Sequence, residues 1–248
     1  MRGLEGGSAI VTGAASGIGQ STAMRLAEEG VVLTLGDING EGNEATARKI
    51  NENGGKAVAL EMDVTQSATW KTLLDTALSE HGKVDYLCNI AGIVNTKGPD
   101  NAVELDEEHW HWVIDTDLTG TWLGMKTVLP HMLENGKGSI VNISSMAALR
   151  GLADLTAYSA AKGGVIGITQ QVAQQYGPEG IRVNAIAPGT IKTPILGDVD
   201  IDFSVFHIIP RLGEAHEVAS MVAFLHSEDA AFLTGHTFPV DGGWNAKT

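Results

Sequence analysis

Cysteine is nearly absent: Cys88 is the only one in 248 residues, so no intrachain disulfide can form and the fold must rest on its core. Cys88 sits in the apolar run Val84-Asp85-Tyr86-Leu87-Cys88-Asn89-Ile90, the setting of a buried inert thiol rather than a nucleophile. Basic residues are scarce as well. Sixteen Lys and Arg against 30 Asp and Glu give a net charge of -14. That balance argues against a nucleic-acid surface, which needs a concentrated basic patch, and disfavours acidic protein partners. No apolar run approaches the roughly 18 residues of a membrane helix. Met1 to Ser8 lacks an apolar h-region, so a cytoplasmic chain without a membrane partner is expected. His109 and His111 diverge on a helix, and no H-E-x-x-H or C-x-x-C accompanies them, so no metal is expected. Linkers, repeats and low-complexity runs are also lacking, which predicts one domain over 1–248.

What is present is an alternation of short apolar runs and amphipathic segments. Ala9 to Thr12, Val31 to Leu35, Ala57 to Glu61, Val84 to Ile90, Ser139 to Ile143, Arg182 to Ile186 and Thr237 to Val240 read as strands. Ile18 to Glu29, Glu41 to Asn53, Gln66 to His81, Asp106 to Leu133, Ala157 to Tyr176 and Glu214 to Leu225 have helical length and pattern. Strands alternating with helices imply a parallel sheet, because parallel neighbours require such crossovers. The expectation is therefore an α/β, Rossmann-type, doubly wound fold: a seven-stranded parallel sheet with helices on both faces. Ligands in such sheets bind beyond the strand C-termini at the switch point.

The first strand runs into Gly13-Ala14-Ala15-Ser16-Gly17-Ile18-Gly19, which opens the first helix. Glycines there allow a tight turn and close backbone approach, and the helix start offers free N–H groups and a positive dipole end to a pyrophosphate. Asp37 follows at the end of the second strand, placed to accept from ribose hydroxyls and to repel a 2′-phosphate. No Lys or Arg accompanies it in the glycine loop or immediately after, so NAD is expected over NADP. Asp63, ending the third strand, is a candidate acceptor from the adenine amino group, with Val64 beside it.

Tyr158 and Lys162 stand one helical turn apart, so both can face one cleft. A free tyrosine titrates near pH 10, about three units too high for a base at neutrality, a gap of roughly 4 kcal/mol. One cation about 4 Å away at an effective dielectric near 20 supplies about that much.

These residues, with Asn89-Ile90-Ala91-Gly92, Ile143-Ser144-Ser145, Arg182-Val183-Asn184, Pro188-Gly189 to Thr193 and Asp241-Gly242-Gly243, resemble the single-domain branch of the short-chain dehydrogenase/reductase family. The resemblance covers essentially the whole chain and implies the following roles. Tyr158 takes the alcohol proton in oxidation and returns it in reduction, while Ser145, 13 residues upstream of Tyr158, fixes the substrate oxygen. Lys162 binds the nicotinamide ribose and lowers the phenol's pKa. Ser16, Gly17, Ile18 and Gly19 hold phosphate. Asn89, Ala91 and Gly92 line the adenosine ribose and support the sheet. Pro188 and Gly189 bring Ile191 and Thr193 to the carboxamide. A homotetramer is also implied, with the helices around Asp117–Leu133 and Ala157–Tyr176 at a dimer interface.

Two positions depart from the family's pattern. Ile90 stands where it usually has a second asparagine, a change of local packing. Asp117 falls at its catalytic asparagine, and an ionised carboxylate can accept but not donate. Near Lys162 it would partly cancel the charge that activates Tyr158, shifting the pH optimum of an active enzyme. The expected substrate is a small, mostly apolar secondary alcohol or ketone, cyclic or aromatic forms included, against Val94, Met146, Leu149, Leu152, Leu155, Ile195, Leu196, Phe203 and Phe206 under a lid at about 193–210. Arg150 and His207 are candidate anchors for a polar substrate end, both expected in solvent. Two other functions fit a chain of this family: 3-oxoacyl carrier protein reduction, which Asp37 and the acidic charge oppose, and nucleotide-binding regulation without catalysis, which Ser145, Tyr158 and Lys162 oppose.

Overall fold

A computed structural model describes residues 1–94, 98–197 and 202–248, the side chains of 203 and 204 excepted. Seven parallel strands form its sheet: β1 (Ser8–Thr12), β2 (Val32–Asp37), β3 (Ala57–Glu61), β4 (Tyr86–Asn89), β5 (Gly138–Ile143), β6 (Ile181–Pro188) and, closing the far edge, Thr237–Val240. They lie in the order β3-β2-β1-β4-β5-β6 followed by Thr237–Val240. A separate two-stranded ladder pairs β7 (Ile191–Lys192) with β8 (Gly213–Glu214), so the seventh strand of the main sheet is β9 (Thr237–Val240).

The alternation of side chains along each strand sorts the helices onto two faces. Ala9, Val11, Leu33 and Leu35 pack against α1 (Gly17–Glu28), α2 (Gly40–Glu52) and α7 (Ala215–His226). Ile10, Leu87, Ile140 and Val183 face α3 (Ser67–His81), α5 (Gly120–Glu134) and α6 (Thr156–Tyr176). After β3 the chain crosses back to place β4 beside β1, which makes the C-terminal ends of β1 and β4 the switch point.

The single helix expected from Asp106 to Leu133 is instead three pieces: α4 (Glu107–Ile114), a π-helical turn (Asp115–Thr119) and α5. A π turn carries one residue more per turn than an α-helix, so it rotates the face presented to the core. Asp117 is thereby fully buried.

Candidate active site

The glycine loop takes its shape from close backbone packing. Gly13 has φ +71°, and a Cβ there would lie 2.9 Å from the Ala91 backbone; one at Gly19 would lie 2.0 Å from the Gly13 carbonyl. Thr12 fixes the neighbouring strand end: its hydroxyl accepts from the amides of Ile90 and Ala91 at 3.1 and 3.2 Å. Ser16 caps α1 without a side-chain hydrogen bond, and no acidic residue lies in the first turn, leaving that helix start to an anion. Asp37 accepts from the amides of Ala15 at 2.9 Å and Asn39 at 2.8 Å, so its carboxylate is held toward the same opening.

A cleft of about 1480 Å³ runs from this loop along the strand C-termini. Gly13, Ser16, Gly17, Ile18, Gly19, Asp37, Asp63 and Val64 line one end; Ala91, Gly92, Asp117, Ser145, Tyr158 and Lys162 the middle. Pro188, Gly189, Ile191 and Thr193, at and after the end of β6, line it as well, with Thr193 only 3.2 Å from where a Gly17 Cβ would lie, and Val94, Met146, Leu152, Leu155, Ile195, Leu196 and Phe206 complete this apolar lining. Asn89 does not reach the cleft. Its amide donates to Asn142 Oδ1 at 2.8 Å, and Asn142 donates on to Thr169 at 2.9 Å, a buried chain that ties β4 and β5 to α6. Leu149 is also off the wall, with 38% of its surface exposed. The side chain of Phe203 lies outside the described residues, as do positions 198–201 of the expected lid.

Two groups expected in solvent are placed otherwise or otherwise engaged. His207 is only 3% exposed; it accepts from the Thr190 amide at 3.2 Å and its other ring nitrogen meets the Arg211 carbonyl at 2.7 Å. Arg150 is exposed but bound to Asn245, through Oδ1 at 3.3 Å and the carbonyl. Neither lines the cleft.

Lys162 is 3% exposed. Its ammonium donates to the Ile143 carbonyl at 3.1 Å and pairs with Asp117 Oδ2 at 3.1 Å. The other Asp117 oxygen accepts from the Ile93 amide at 2.8 Å. Burial pulls the Lys162 pKa down, but the charges of Asp117 and Tyr158 outweigh it and hold the ammonium above its ordinary value. Burial raises Asp117, with the Lys162 charge and the Ile93 amide pulling the other way. Tyr158 is raised too, first by burial; Lys162 and the Ser145 hydroxyl pull its pKa down, while Asp117 pushes it up. The lysine thus acts in the expected direction, but burial and the carboxylate set the balance.

Some contributors carry no sequence signal. Asp100, 1% exposed, accepts from the Ala157 amide at 3.0 Å, and its carbonyl from Thr156 at 2.9 Å. It therefore caps the helix start that presents Tyr158. Trp112, Thr116 and Trp244 also line the cleft; only the glycines preceding Trp244 hinted at a backbone turn there.

The family model described as enoyl-(acyl carrier protein) reductase matches residues 13–245. The chain is 43% identical to cis-4-hydroxycyclohexanecarboxylate dehydrogenase of Sinomonas cyclohexanicum, over 96% of each chain. It is 40% identical to cyclohexanol dehydrogenase of Acinetobacter sp. (strain SE19), covering 96% of this chain and 95% of that one. The crystal structure of levodione reductase superposes with a TM-score of 0.92 at 34% identity, over 98% of this chain and 99% of that one.

Proposed function

For this chain, which belongs to the short-chain dehydrogenase/reductase family, we propose an NAD-dependent oxidoreductase that interconverts a small, neutral, cyclic secondary alcohol and its ketone. The observation that carries this reading is one cleft with a glycine loop and Asp37 at one end and Ser145, Tyr158 and Lys162 on its wall.

The residues fit a nicotinamide dinucleotide: the glycine cradle admits no Cβ, the α1 start is uncapped by any side chain, and Asp37 is oriented by two amides. When bound, that cofactor supplies the hydride acceptor or donor. Asp37 favours NAD, because its carboxylate would repel a 2′-phosphate and the described residues there offer no cation to neutralise one. Ser145 holds the substrate oxygen, and the Tyr158 phenolate takes the hydroxyl proton in oxidation. Lys162 stabilises that phenolate, and Asp117 tempers it. Among the described lining residues Lys162 is the only cation, and it is already paired. A carboxylate substrate like that named for the 43% relative would therefore find no counter-ion, which favours a neutral ring. The net charge of -14 likewise opposes the docking of an acidic acyl carrier.

We take the catalytic unit to be a single domain at work in the cytoplasm; no helix among the described residues is long and apolar enough to cross a membrane. A homotetramer fits the exposed Trp122, 45% accessible on α5. The function is tested by supplying NAD or NADP with cyclic secondary alcohols and following reduced nicotinamide absorbance. Turnover with NAD and neutral alcohols is expected. Turnover only with NADP would refute the reading of Asp37, and nucleotide binding without any turnover would favour a regulator.

A further inference from the structure

The motif Asp241-Gly242-Gly243 is followed by a short turn whose role the chemistry above leaves unassigned. That turn is clamped from three sides. The Gly242 carbonyl accepts the amides of Ile208 and Ile209, each at 2.9 Å. Gly243, at φ +86°, lies so near Ile208 that a Cβ would sit 3.0 Å from it. Lys247 donates to the carbonyls of Val205 and, at 3.1 Å, His207, while Arg150 reaches Asn245 from the segment after β5.

The clamps aim one side chain. Trp244 stacks on Phe206, ring centroids 4.9 Å apart at 19°, and both rings line the cleft. His207 meets Trp244 edge-on at 5.7 Å and 75°. Because His207 Nε2 accepts from the Thr190 amide, its proton sits on Nδ1, toward the Arg211 carbonyl. The ring thus couples the aromatic pair to the Pro188–Thr193 wall. Trp244 is itself only half-buried, and a fixed aromatic face lining a cleft gains most when an apolar ring covers it.

We propose that Trp244, backed by Phe206, is a specificity-determining residue: the outer wall against which the ring of the alcohol or ketone lies. This rests on the secondary-alcohol reading above and deepens it. In Trp244→Ala, KM for cyclohexanol should rise about tenfold, with NAD affinity unchanged and KM for propan-2-ol, which is too small to need the wall, altered less than about twofold. Trp244→Phe, which keeps an aromatic face, should restore cyclohexanol to within about threefold. An unchanged cyclohexanol KM, or the same factor for both alcohols, overturns the wall. Wild-type protein that oxidises propan-2-ol but not cyclohexanol overturns it while sparing the Tyr158 chemistry. Wild-type protein that oxidises neither overturns both.

Discussion

Lys162 and His226 are both buried nitrogen bases, each 3% exposed, yet the protein keeps one charged and the other neutral. Lys162 has a carboxylate 3.1 Å away, and the pair is held against burial. His226 lies between neutral groups, with Cys88 Sγ at 3.1 Å, Ser139 Oγ at 3.0 Å and the Tyr86 ring at 5.0 Å. Burial, aided by the charge of Arg182, drives its pKa down to about 3. Burial likewise pushes the Cys88 thiol up and Tyr86 to about 12. Depth alone therefore does not make a reactive site. A neighbouring opposite charge and an opening to the cleft do, and the second cluster has neither.

Breaking the pair should have the largest effect. Lys162→Met leaves Asp117 buried without its partner, so it should cost about 3–5 kcal/mol of stability as well as most of the turnover. Adding Asp117→Asn should recover stability in urea unfolding but not activity; recovery of both would mean the lysine is structural only.

Burial is the first cause that raises Tyr158, and Asp117→Asn removes the charge that adds to it. The phenolate then forms at lower pH, and the rising limb of the pH-rate profile for alcohol oxidation should move to lower pH. An unshifted profile would show that the carboxylate does not reach the phenol electrostatically.

The least effect on chemistry is expected at the second cluster. His226 has its folded pKa depressed from 6.5 to about 3. The stability it contributes is complete above pH 6.5 and is lost as pH falls toward 3, at up to about 1.36 kcal/mol per unit. His226→Phe should flatten the acid dependence of urea unfolding across that window, cost about 1–2 kcal/mol near pH 7 and leave turnover unchanged. A loss of turnover would give this cluster a catalytic part.

The contrast was only half legible in the sequence. Glycine loop, Asp37 and the Tyr158/Lys162 turn could be read because their function depends on spacing within one or two consecutive elements. The strands were legible within a residue or two for a similarly local reason: strands buried on both faces of a parallel sheet read as short continuous apolar runs. The π turn at Asp115–Thr119 was not, since one extra residue barely disturbs a helical pattern, and with it went the depth of Asp117. His207 and Asp100 depend on partners 17 and 57 residues away, and Trp244 on Phe206 and His207, nearly forty residues earlier in the chain. Such contacts leave no periodic trace.

The most direct test of the account is Tyr158→Phe, which removes one hydroxyl and keeps the ring. With NAD and a cyclic secondary alcohol, nicotinamide reduction should fall by about 10²–10⁴-fold while the nucleotide binds with unaltered affinity. Turnover retained within a few-fold would contradict the assignment of Tyr158 as the acid-base group.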